Sequence, residues 1–156
     1  MEVEELKKEY FVLAKKHSLP DFKKLNEDFE IDKIERKSDC MLRAIRKAMM
    51  DKIINSVGFF DMLLNPGNAP RMYLNFIKNM NSDDKEIIGI IYAKLAELSL
   101  ISLELEVEYN ENGEAGLINK TFQEWVKIKP EFSKILAKIR KPSESDSIRK
   151  EKSYFG

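Results

Sequence analysis

Residues 82–121 read SDDKEIIGIIYAKLAELSLISLELEVEYNENGEAGLINKT, and the fold class turns on how the second half of this stretch is taken. Ile87, Ile91, Leu95, Leu98, Ile101 and Leu105 step by three or four residues, the spacing of one helix face. Ser82, Asp83 and Asp84 ahead of them supply a cap and favourable negative charge for a helix amino terminus. Toward the far end a competing pattern starts. Leu103, Leu105, Val107 and Tyr109 alternate strictly with Glu104, Glu106 and Glu108, the period of a half-buried strand, and NENG at 110–113 is able to close a hairpin. Leu and Glu are good helix formers, the helical stripe runs on through Leu105, and the returning segment EAGLINKTF lacks alternation. The adopted reading is a helix over Asp83 to Tyr109, with a small hairpin inside 103–121 as the alternative.

The rest of the chain repeats the helical period. Val3, Leu6, Tyr10 and Leu13 mark an amphipathic helix ending near His17. Ser18, followed three residues later by Asp21 with Pro20 between, reads as the capping-box-like start of a short second helix whose Phe22, Leu25 and Phe29 share a face. From Asp32 to Leu64 no proline intervenes, and Leu42, Ile45, Met49, Ile53, Val57, Phe60 and Leu64 form one stripe, predicting a single helix of roughly 50 Å. NPGNAP at 65–70 breaks it, and Tyr73, Phe76, Ile77 and Met80 mark a short helix beyond. After a glycine-bearing break over Asn110 to Gly116, apolar residues at helical spacing continue from Leu117 to Ile139, with a kink or restart expected near Ile128 and Lys129 because Pro130 lies inside the run. The expected fold is all-α: an irregular helical bundle of two long antiparallel helices, roughly Asp32–Leu64 and Asp83–Tyr109, with three or four shorter ones. Ile45, Ile53, Phe60, Ile91, Leu98 and Trp125 are the expected core. Residues 1–141 form one domain in this reading, and 142–156 a flexible, polar, Ser-rich tail.

A chain of 156 residues with 43% hydrophobic residues is long enough to bury a core without staples. Lys and Arg total 27 and so do Asp and Glu, so bulk electrostatic attraction to nucleic acid or anionic membrane has no net charge to work with. Cys40 is the one cysteine, which rules out an intrachain disulfide and favours a reducing compartment. MEVEELKKEY lacks the apolar core of a signal peptide, and no apolar run approaches the roughly 20 residues of a membrane span. The expectation is a soluble, cytoplasmic protein without a membrane partner.

Candidates for chemistry are sparse. His17, the single histidine, sits at a predicted helix carboxy terminus where the dipole favours it. Cys40 neighbours Met41 and Leu42 and reads as a small apolar side chain. Glu97, Glu104 and Glu108 share a helix but lack the paired Glu-x-x-His motifs of bundle metal sites. Neither GxGxxG nor GxxxxGK[ST] occurs, so the usual phosphate-binding loops are absent. No catalytic constellation emerges, and the expectation is a non-enzyme with no cofactor, no metal and no small-molecule substrate.

The polar feature that stands out is Lys33, Arg36, Lys37, Arg43, Arg46 and Lys47. Arg36, Cys40, Arg43 and Lys47 follow one helical line, so Arg36, Arg43, Arg46 and Lys47 are the candidate partner-binding residues. A solvated face neutralised by Asp32, Glu35 and Asp39 is the competing account. A second basic run, Lys134, Lys138, Arg140 and Lys141, precedes the tail, which ends on Tyr154 and Phe155. Long apolar stripes together with Met49, Met50, Met62, Met72 and Met80 exceed what one small bundle must hide. They point to a non-catalytic helical interaction module that presents a face or groove to a protein partner or to a second copy of itself. The alternative is an RNA- or ribosome-associated protein using the basic face.

LPDFKKLNEDFEI, Leu19 to Ile31, resembles the LPxFxxLNxxFEI segment of small archaeal all-helical proteins, with the long-helix, break, long-helix layout and the pair Glu124 and Trp125 as further points of likeness. The resemblance implies a cytoplasmic archaeal origin and carries no activity with it. The same residues also have a complete physical account: Pro20 and Asp21 start a helix, and Phe22, Leu25 and Phe29 bury its face.

Overall fold

A computed structural model describes residues 3–35 and 40–141. Among them every regular element is helical: α1 Val3–His17, α2 Phe22–Phe29, a 3₁₀ turn at Ile31–Lys33, α3 Met41–Leu64, a second 3₁₀ turn at Pro66–Asn68, α4 Arg71–Asn79, α5 Ser82–Val107 and α6 Glu111–Arg140. The all-α expectation holds, and the hairpin alternative over 103–121 does not.

Local chemistry sets the boundaries. Ser18 ends α1 in the left-handed region at φ 52°. The start of α2 is Asp21, whose side chain accepts from the Lys24 amide at 3.3 Å; Ser18 is therefore a stop and not the cap. The Tyr10 hydroxyl donates to the Pro20 carbonyl at 2.6 Å and fixes the intervening turn. Burial, with Asp21 close by, pushes that phenol's pKa up, so it remains a donor. The expected helix from Asp32 starts only at Met41, because Glu30 closes α2 at φ 51° and Ile34 is extended. α5 begins with a reciprocal capping box, the Asn81 side chain accepting from the Asp84 amide at 2.8 Å and the Asp84 carboxylate accepting from the Asn81 amide at 3.4 Å. The cap is thus one residue ahead of Ser82.

NENG, the hairpin candidate, does the same for α6. Asn110 caps it by accepting from the Gly113 amide at 2.7 Å. A Cβ on Gly113 would come within 2.8 Å of a terminal methyl of Leu105, so a larger residue in this tight α5–α6 turn would require the Leu105 side chain to shift. α6 is a third long helix, unforeseen as such, and runs unbroken through Pro130. Pro130 is exposed, so the ring sits on the solvent side of the helix and not in the core.

Contacts along the long helices give their directions. Arg46 near the start of α3 meets Ser102 and Glu106 near the end of α5. Lys138 meets Asp84, Glu124 meets Lys94, and Lys120 meets Glu97, so α6 runs antiparallel to α5. The Phe60 ring packs at a tilt on Phe132, centroids 4.9 Å apart, while Arg46 bonds Glu114, so α3 and α6 run parallel. α1, α2 and α4 close the sides, α2 through Phe29 on Trp125 at 5.9 Å and α4 through Tyr73 on Phe59 at 5.9 Å. All six expected core residues, Ile45, Ile53, Phe60, Ile91, Leu98 and Trp125, are buried.

Ile91 is 4% exposed on the inner face of α5. Ile91→Asp should cost on the order of 4 kcal/mol, since it places an unpaired charge in the core, and should abolish the cooperative thermal transition followed by far-UV circular dichroism. Ile91→Val should cost about 1 kcal/mol and keep that transition.

Candidate functional site

The basic residues singled out from the sequence do not form one exposed face. Arg36 lies outside the described residues. Arg46 is turned inward and 1% exposed, which corrects its assignment as a partner-binding residue: it already spends its donors inside the fold. Its Nε donates to Glu114 Oε2 at 2.7 Å and its Nη2 to Glu114 Oε1 at 3.1 Å, a bidentate pair, while Nη1 reaches Ser102 Oγ at 3.0 Å and Glu106 Oε1 at 2.7 Å. Glu114 is itself fully buried.

Arg43 and Lys47 surround this junction at the surface. Arg43 holds its Nε 3.8 Å from Glu114 Oε1 and its guanidinium 5.0 Å from the centre of the Tyr109 ring. Lys47 lies 3.6 Å from Glu106. Among the described residues, the carboxylates that neutralise Arg43 and Lys47 are Glu114 and Glu106, on other helices. Beside Arg43, Cys40 Sγ and the Tyr109 hydroxyl are 3.0 Å apart. That hydrogen bond, reinforced by burial, pushes the tyrosine pKa up to about 12.

Charge and burial compete at Arg46. Burial alone would lower its pKa, but the hydrogen bonds to Glu114 and Glu106 outweigh that, and the net effect is upward. The same bond to Arg46 leads in pulling the Glu106 carboxyl below its ordinary range. Glu111, at the start of α6, is also lowered, first by Lys16 at 2.7 Å and then by His17 at 2.9 Å. The sole histidine thus ties the end of α1 to the start of α6.

Ser102, Glu106 and Glu114 were not singled out in the sequence, yet one signal was there. Arg46 sits four residues after Leu42 and three before Met49, inside the apolar stripe of α3, where an arginine needs a buried partner. The other sequence candidates stay apart. Glu97 pairs with Lys120 at 3.1 Å, Lys134 with Glu131 at 3.2 Å and Lys138 with Asp84 at 2.5 Å. Among the described residues no group of three or more His, Cys, Asp or Glu side chains is placed to hold a metal, and no helix is long and apolar enough to cross a membrane.

The surface that remains unaccounted for is the outer side of α5. Leu100, Leu103 and Val107 are 62%, 61% and 90% exposed, directly opposite the buried Leu98 and Leu105. A separate small apolar depression lies between α5 and α6, lined by Ile87, Ile90, Ile91 and Ile128 and edged by Lys94 and Lys127. Compared with protein-family models, curated proteins and solved structures, the chain matches none.

Removing one member of the buried pair should cost far more than removing both. Arg46→Met, which takes the bidentate partner from buried Glu114 and leaves it only Arg43 at 3.8 Å, should lose about 3 kcal/mol in urea denaturation, and Arg46→Met with Glu114→Met should lose clearly less than the two single changes added. Acid should weaken the fold in a defined window. Glu106 and Glu111 hold their protons less tightly folded than unfolded, so the unfolded chain gains protons first and stability falls with pH. The melting temperature should stay level from neutral pH down to about pH 5 and fall through and below the ordinary glutamate range near 4.3; Glu106→Gln should flatten that fall.

Proposed function

We propose that this chain is a non-catalytic helical interaction module that offers an apolar helix face to a protein partner. The observation that carries the reading is the outer side of α5. Isolated exposed apolar residues are ordinary on protein surfaces, but Leu100, Leu103 and Val107 form a continuous row at helical spacing, each more than half exposed, and such rows are typical of partner-binding helix faces. Self-association is its simplest form. A reducing, cytoplasmic setting belongs to the proposal and is supported by Cys40 being the one cysteine of the chain.

The RNA-binding alternative has less behind it. Phosphate contacts need cations free to displace counterions. Of the basic residues proposed for that role, Arg46 is buried, and Arg43 and Lys47 lie against Glu114 and Glu106.

A photo-reactive phenylalanine analogue at Leu103 should give a discrete, heavier adduct on irradiation in cell extract. The same probe at Lys23, exposed on α2, should not, and Leu100→Glu should suppress the adduct at Leu103. Equal yield at both positions, or no adduct at either, would overturn the reading.

A further inference from the structure

The exposed row on α5 has an internal order. Continued toward the amino terminus it reads Gly89, Ala93, Ala96, Leu100, Leu103, Val107, with steps of four, three, four, three and four residues. This is the spacing of a coiled-coil seam, and it spans about 27 Å of helix. It lies opposite the buried Ile91, Leu98 and Leu105. Small side chains fill the amino-terminal half and large ones the carboxy-terminal half. A Cβ on Gly89 would meet nothing within 4 Å, so no contact inside the fold calls for glycine there, although glycine costs about 1 kcal/mol relative to alanine in a helix interior.

A second copy laid antiparallel, about a two-fold axis level with Leu98, resolves both features. Gly89 of one copy then lies level with Val107 of the other, Ala93 with Leu103, and Ala96 with Leu100. Large meets small in every layer, as close helix packing requires, and the two-fold generates each layer twice from the same surface. Parallel pairing would instead set Val107 on Val107 and Gly89 on Gly89, crowded at one end and empty at the other. Lys94 is turned away from the row, bridged to Glu124 of α6 at 3.2 Å, and places no charge in any layer. Glu97 lies near the axis and faces its own copy, but each Glu97 is bridged to Lys120 at 3.1 Å. Beyond Gly89 the next residue along the line is Glu86, which ends the apolar seam.

We propose that the chain forms a two-fold homodimer through α5, paired antiparallel along Gly89, Ala93, Ala96, Leu100, Leu103 and Val107. The inference rests on the interaction-module reading and names its partner. One helix pair of this length covers less than the roughly 800 Å² per partner of a standard interface, so the dimer is a weak one.

Sedimentation of the purified full chain from low micromolar to about 1 millimolar should show reversible dimerisation. Leu103→Glu and Ala93→Glu, both at exposed positions, should each weaken it at least about 30-fold, equivalent to about 2 kcal/mol, with unchanged helix content by circular dichroism. A chain that stays monomeric throughout, or a dimer indifferent to both variants, would overturn the proposal. Direction is read from oxidation in a Cys40→Ser background. Mixing an Ala93→Cys chain with a Leu103→Cys chain should give the mixed disulfide in preference to either self-disulfide, whereas dominant self-disulfides would refute antiparallel pairing. If the purified chain is monomeric while the photo-adduct at Leu103 contains a different polypeptide, self-pairing falls and the module reading stands; if no adduct forms either, both fall.

Discussion

A guanidinium cannot be neutralised by losing its proton at any pH a protein meets, so burying Arg46 obliges the chain to bring acceptors to it. The acceptors come from two other helices: Ser102 and Glu106 from the last turns of α5, Glu114 from the first turn of α6. Bidentate geometry to Glu114 limits rotation as well as distance. The start of α3, the end of α5 and the start of α6 are therefore held in one arrangement by a single side chain, and the close turn over Gly113 keeps the last two within reach. Apolar packing supplies most of the stabilisation of such a bundle, but it is non-directional. The buried ion pair favours one register among the many that greasy helices would accept.

This arrangement also determines what is left for the surface. Arg43 and Lys47 gather around the same carboxylates, so the basic cluster at the start of α3 is largely answered within the fold. α5 differs. It packs against α3 on one side and α6 on another, yet its third side has neither a covering helix nor the charges that usually mark a solvated face. Leu95 and Leu98 are buried to within 1%, while Leu100 and Leu103 a few residues on stand in solvent. A helix that is apolar on opposite sides is sandwiched in a larger core or meets a partner, and within residues 3–35 and 40–141 nothing covers the outer side.

The helical class, the three interruptions at Ser18, at 65–70 and at Asn110, and the inward residues of α3 and α5 were legible because the period of 3.6 is carried by many side chains at once. What was less legible has particular causes. The strand-like alternation of Leu103, Leu105, Val107 and Tyr109 is a record of two apolar faces on one helix: Leu105 points to the core and Leu103 and Val107 away from it. Periodicity arguments assume one buried face, so a two-faced helix mimics a strand over a few residues. The continuity of α6 was hidden by Pro130, whose ring sits on the solvent side of the helix and not in the core. The buried role of Arg46 depended on Glu114, 68 residues away, and no local pattern connects such residues before the helices are placed.

Electrostatics makes an exposed apolar seam more consequential here than it would be in a strongly charged protein. With 27 cationic and 27 anionic residues, copies of this chain meet without the long-range repulsion that keeps highly charged proteins apart. Contacts within a few ångströms then decide whether an encounter persists. The ion pairs along the rim of α5, Lys94 with Glu124 and Lys120 with Glu97, satisfy charges at the edge without inserting one into the row itself, so closing a partner over the row strips water from side chains that are apolar, small or both. Charged groups at the centre of such a row would cost desolvation on every encounter, and the centre of this one, Ala96 and Leu100, carries none.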